Sequence, residues 1–160
     1  MLQSFNLLVL IGLANAAPIL AHMWLGERLS RSVDGGHRWG DGRPVLGRTK
    51  TLRGVCAALA LCSLGALLLG LSWRLGILIG AGAMAGDLVS SFAKRRLGKA
   101  ESTPVRGLDQ IPESLIPASL AAPFLGIGVG EVLIVTAIFF ALETAMSPLL
   151  FRLKIRRPCP

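Results

Sequence analysis

The chain has 160 residues, of which 52% are hydrophobic and only 16% charged, with a formal net charge of +8. At a mean hydropathy of +0.62 it carries more apolar side chains than a water-soluble domain of this length tolerates, which excludes an ordinary soluble enzyme and indicates one compact, all-α integral membrane domain. The positive charge does not mark a nucleic-acid binder, because it is gathered in the connections between apolar stretches, where it sets topology and attracts anionic lipid.

A span needs about 20 mostly apolar residues, and five stretches qualify: roughly 5–25, 52–71, 75–92, 111–127 and 132–151. Two longer connections, about 26–53 and 94–110, lie between them. All 17 cations except Arg74 fall in or beside these two loops or in the C-terminal tail. By the positive-inside rule, the N-terminus is therefore expected outside, with both long loops and the C-terminus cytoplasmic.

In the first span, Ala14-Asn15-Ala16 imitates a signal-peptide cleavage site, but no Lys or Arg precedes the apolar run and it continues past Pro18 to Leu25, so the segment is read as a retained helix. Asn15 interrupts the apolar pattern and its amide needs a partner, either a neighbouring carbonyl or a ligand, with a hydrogen bond across a helix interface the favoured use. The loop that follows is rich in Gly and charge and is expected to be partly mobile. Within it, residues 42–49 mimic a phosphate-loop spacing with Arg48 at the lysine position, but no strand precedes them. Two readings stay open there: backbone and side-chain donors at Arg48, Thr49 and Lys50 for a triphosphate, or a flexible basic linker. Cys56, Cys62 and Cys159 have no metal-ligand spacing and are read as reduced. His22 and His37 have no companions at ligand spacing.

The third span holds the most informative residues. Gly76, Gly80, Gly82 and Gly86 make two Gly-x-x-x-Gly spacings suited to close helix packing, and near Gly86 the same lack of bulk would admit a nucleotide. Asp87 follows at the membrane boundary and shares a helix face with Ser90 or Ser91 and Lys94. A carboxylate at that depth needs a metal, Lys94 or a cation from another helix, unless it is a structural ion pair or protonated. Lys94, Arg95 and Arg96 suit a phosphate clamp and equally a positive-inside anchor. Asp109, with Glu113 one turn later, is the natural second carboxylate or a helix N-terminal acid. Pro112, Pro117 and Pro123 predict a kinked or partly broken fourth helix. Glu143, inside the fifth span, must face the bundle, pairing with a cation or completing a polar site.

The assembly Asn15-x-x-Pro18, Pro44-x-Leu46-Gly47-x-Thr49-x-x-x-Gly54, Gly86-Asp87-x-x-x-Ser91-Phe92-x-Lys94-Arg95-Arg96-x-Gly98 and Leu108-Asp109-Gln110 resembles the CDP-archaeol synthase family. The Gly-Asp-x-x-x-Ser-x-x-Lys-Arg order is also similar to the larger CDP-diacylglycerol synthases, which look richer in His, Gly and Asp near the position of Asp109. The resemblance implies Mg²⁺-dependent transfer of a cytidylyl group from CTP to a lipid phosphate in the cell membrane, either digeranylgeranylglyceryl phosphate or phosphatidic acid. It implies Asp87, Lys94 and Arg95 at the catalytic centre and Asp87 and Asp109 on the metal. Asn15, Arg48, Thr49, Lys50, Ser91, Lys94, Arg95 and Arg96 would contact the substrates, and a homo-oligomer is compatible with it. The rival class is a transporter or assembly subunit, against which stands the placement of both polar clusters on one side of the membrane.

Overall fold

The computed structural model describes residues 1–101, 103 and 105–152, with side chains described as far as residue 146. The tail residues Lys154, Arg156, Arg157 and Cys159 lie outside the described residues. Five helices follow one another: α1 (Leu2–Leu25), α2 (Leu52–Leu68), α3 (Trp73–Arg96), α4 (Gln110–Leu125) and α5 (Val129–Arg152). Each matches an expected span to within a few residues at either end. Among the described residues there are no strands, only two isolated bridges in the first loop, Ser32 with Thr51 and Arg38 with Pro44.

The boundaries have local causes. Thr51 caps α2 by accepting the Gly54 N–H on its hydroxyl, and Ser72 does the same for the Arg74 N–H at the start of α3. Gly126 ends α4 in the left-handed conformation, φ 64°, that glycine adopts without strain. The fourth helix departs from expectation: it is one uninterrupted helix through Pro117 and Pro123. Pro112 falls in its first turn, where the N–H has no intrahelical partner to lose. Three helices, α1, α3 and α5, are long and apolar enough to cross a membrane; α2 is a shorter apolar helix, and α4 has 16 residues. At 1.5 Å per residue α2 and α4 reach about 25 Å, against a hydrocarbon core of about 30 Å.

The helices close into a ring in chain order, α1 returning to α5, with α1 also touching α3 and α4. Between hydrocarbon-immersed helices apolar burial gives no advantage over lipid, so close approach must come from small residues. The glycines of α3 supply it on two sides. A Cβ on Gly76 would sit 2.7 Å from the Ser63 Cα of α2, and one on Gly82 would sit 2.9 Å from the Pro117 Cα of α4. Leu7, Leu10, Ile11, Ile79 and Val135 fill the shared core without exposure.

Candidate active site

The polar residues of α3 and α4 meet at the end of the bundle that carries the two long loops. Gly86 permits the approach: a Cβ there would run into the Pro112 carbonyl and lie 2.7 Å from the Glu113 amide nitrogen. The space the sequence left for a nucleotide beside Gly86 is therefore filled by the α4 backbone. Asp87, the next residue, is brought against Glu113, and Glu143 of α5 lies within electrostatic reach. Three carboxyl groups from three helices thus share one region of the bundle. The cation that enters it is Lys50, whose Nζ is 2.5 Å from Asp87 Oδ1. The partner of Asp87 is thus a residue of the first loop, 37 positions earlier. Thr49, Lys50, Thr51, Pro18 and Asp87 line a small cleft of about 40 Å³ at this point.

Lys94, on the same face of α3 as Asp87, pairs instead with Asp109 at the start of α4, 2.8 Å away. The other Asp109 oxygen accepts the Val105 N–H at 3.1 Å. Lys94 and Asp109 are only 7% and 9% exposed, so α3 and the start of α4 are joined by a nearly dry ion pair. Arg95 is different. It is 6% exposed; its Nη2 donates to the Ala100 carbonyl at 2.9 Å, and its Nε has no partner. Among the described residues no carboxylate pairs with it. A guanidinium removed from water with donors left over is costly unless an anion arrives to meet it.

The first loop is built, not a loose linker. Burial raises the Asp34 carboxyl, but the Gly36, Leu46 and Gly47 N–H groups and the Ser32 side chain outweigh that and hold it below its ordinary value. Those amide bonds are 2.9–3.2 Å long and draw the two halves of the loop together. The Arg48 N–H donates to Glu101 Oε1 at 3.3 Å, which fastens the first loop to the second. Arg96 adds a further attachment: its Nη1 lies 2.6 Å from Asp41 and its Nη2 donates to the Pro44 carbonyl at 2.7 Å.

Of the residues singled out from sequence, Asp87, Lys50, Lys94, Arg95 and Asp109 converge on this end of the bundle. Ser91 is 2% exposed with no hydrogen-bond partner for its hydroxyl. Arg48 and Thr49 are exposed, and Arg48 borders an open polar cavity of about 440 Å³ with Glu27, Ser30 and Ser32. Asn15 corrects the expectation of an interhelical bond: its Nδ2 donates to the Ile11 carbonyl of its own helix at 3.0 Å. Arg96, expected on a phosphate, has both terminal nitrogens engaged by the loop, for the geometric reason just given. The sequence reading left Asp34, Trp39 and Glu101 aside; a tryptophan in a Gly-rich charged loop was the available signal that this loop packs on something. No group of three or more His, Cys, Asp and Glu among the described residues is gathered closely enough to hold a metal ion unaided.

A sequence profile described as "CarS-like: CDP-archaeol synthase" matches residues 3–157. The chain is 36% identical over 131 residues to the CDP-archaeol synthase of Thermococcus onnurineus (strain NA1), covering 75% of this chain and 74% of that one. It is 29% identical over 163 residues to the CDP-archaeol synthase of Pyrococcus furiosus, covering 96% and 94%. A solved structure of an intramembrane enzyme for archaeal membrane lipid biosynthesis superposes with a TM-score of 0.74 at 33% identity, over 89% of this chain and 90% of that one. Together with the helical bundle and its polar end, these matches make the protein a multi-pass membrane enzyme of the cytidylyltransferase class, and the chain belongs to the CDP-archaeol synthase family.

Proposed function

We propose that this protein transfers the cytidylyl group of CTP to digeranylgeranylglyceryl phosphate, giving CDP-archaeol and pyrophosphate, at the loop-bearing end of the bundle and on the cytoplasmic side of the cell membrane. The observation that carries the reading is Arg95, a buried guanidinium whose Nε has no partner and which no carboxylate among the described residues meets. A phosphate oxygen meets that need and gains the geometry only an arginine offers. Lys94, on the adjacent position, and Lys50, at Asp87, are the further cations for a substrate with several phosphates.

Magnesium fits the donor set. Mg²⁺ takes one or two protein carboxylates and completes its shell with phosphate oxygens and water, and Asp87 and Asp109 would supply those carboxylates, each by sharing or exchanging the lysine it now meets, Lys50 and Lys94. When bound, the ion supplies neutralisation of the triphosphate charge. In this reading the lipid phosphate oxygen attacks the α-phosphorus of CTP, the new P–O bond forms there, and the bond to the β-phosphate oxygen breaks as pyrophosphate leaves. The attacking oxygen is already anionic, so no side chain has to take a proton. Lys94 and Arg95 hold the phosphates in line and offset charge on the leaving group. Ser91 and the Thr49 hydroxyl are the remaining polar contacts on offer.

The test is CTP-dependent formation of CDP-lipid by purified protein, with digeranylgeranylglyceryl phosphate and phosphatidic acid offered separately, with and without EDTA, and with Asp87→Asn as control. Product from the ether lipid that is lost with EDTA and in the variant is the expected result. Product from phosphatidic acid alone would overturn the substrate assignment, and turnover undiminished by EDTA would overturn the metal.

A further inference from the structure

We propose that Arg96 is a positioning residue that acts through the first loop: a clip of Trp39, Asp41 and Arg96 fastens that loop to the end of α3 and so decides where Lys50 meets Asp87. The kinetic half of this inference rests on the cytidylyl-transfer reading; the structural half does not.

The clip is a built feature. Arg96 lies over the Phe92 ring at 5.2 Å and the Trp39 ring at 5.9 Å, and the two rings meet edge to face with centroids 5.5 Å apart. The guanidinium thus lies beside both rings, the three centres forming a nearly equilateral triangle, and it is fixed there by hydrogen bonds to the loop. Its Nη1 is ion-paired with Asp41, and its Nη2 donates to the Pro44 carbonyl. The contact is returned, because Arg43 Nη1 donates to the Arg96 carbonyl at 2.7 Å. On the loop side the clip is carried by a tight turn: Gly42 N–H donates to the Trp39 carbonyl and Trp39 N–H to the Arg43 carbonyl, both at 2.8 Å. The Arg43 N–H donates to Asp41 Oδ1 at 3.0 Å and orients that carboxylate toward the arginine.

From Pro44 the chain has six residues to reach Lys50, and on the way Leu46 and Gly47 are tied to Asp34. A constraint on the turn is therefore passed to Lys50 with little slack. Arg96 keeps a spare donor at Nε, but bidentate phosphate binding through its terminal nitrogens would require it to surrender Asp41 and the Pro44 carbonyl. Arg95, next to it, already offers free donors for that purpose.

The experiment compares wild type with Asp41→Asn, Trp39→Leu, Arg96→Gln and the double variant Asp41→Asn/Arg96→Gln. Two readouts are taken: backbone hydrogen exchange of residues 36–50 in the ligand-free protein, and KM for CTP against kcat. Asp41 is exposed enough that its amide variant keeps the fold. The expected result is faster exchange across 36–50 in all variants, a fall in kcat/KM of about fivefold for Asp41→Asn, and a double variant no worse than Arg96→Gln alone. Unchanged exchange in both Asp41→Asn and Trp39→Leu would overturn the clip. So would wild-type kinetics in those two variants beside a raised KM in Arg96→Gln, which is the behaviour of a direct phosphate ligand. If wild-type protein turns over no CTP at all, the functional reading fails, and the exchange data still decide the clip.

Discussion

Replacing Gly86 by alanine tests whether the α3–α4 contact is what assembles the site. The added methyl group would meet the Pro112 carbonyl and lie 2.5 Å from the Pro112 carbonyl carbon. Carbon atoms pack at about 3.5 Å or more, so the helices must separate by about 1 Å. The three nearest atoms all belong to backbone, so no flexible side-chain end can yield. Overpacking of this kind costs about 1–3 kcal/mol, and the better helix propensity of alanine returns about 1 kcal/mol, so the variant is expected to fold with at most about 2 kcal/mol lost. Activity suffers more. Asp87 would move away from α4 by the same ångström, and a displacement of that size costs about 100-fold in rate. The assay is CDP-lipid formation together with thermal unfolding in detergent, with Gly12→Ala as reference, because a Cβ at Gly12 has nothing within 4 Å. Gly86→Ala turning over within twofold of wild type would refute the reasoning.

Arg95→Met removes a buried cation that has no carboxylate partner; stability is expected to stay within about 1 kcal/mol of wild type while KM for CTP rises at least about 10-fold, and a large loss of stability with unchanged KM would assign Arg95 to structure instead. The pH dependence of the first loop follows from Asp34. Its carboxyl is held below the unfolded value of 3.8, so its contribution is present above that pH and lost as pH falls through the lower folded value; exchange protection of residues 34–47 should decline only in that acid range, and Asp34→Asn should lack the protection already at pH 7. A C-terminal reporter should be inaccessible from outside intact cells and an N-terminal one accessible, as the distribution of Lys and Arg requires; the reverse pattern would invert the proposed orientation.

Hydropathy and charge placement are properties of neighbours in the chain, and they were enough to place five helices, two polar loops and the acid-and-base cluster of α3. The resemblance carried by Asp87, Lys94 and Asp109 likewise lay in linear order. Which charge meets which is a different kind of quantity. Asp87 could have taken Lys94, one face and two turns away; it takes Lys50 because the first loop folds back and Lys94 is occupied by Asp109. Asn15 spends its side-chain N–H on the Ile11 carbonyl of its own helix rather than on a neighbouring helix. Arg96, indistinguishable from Arg95 as a letter in a basic run, points into Trp39 and Asp41, while Arg95, 100° around the helix, is buried with donors to spare. Those choices are made by contacts of a few ångströms across residues tens of positions apart. They depend on how closely Gly86 lets α4 approach and on where Asp34 draws the loop, and neither distance is written in the local pattern.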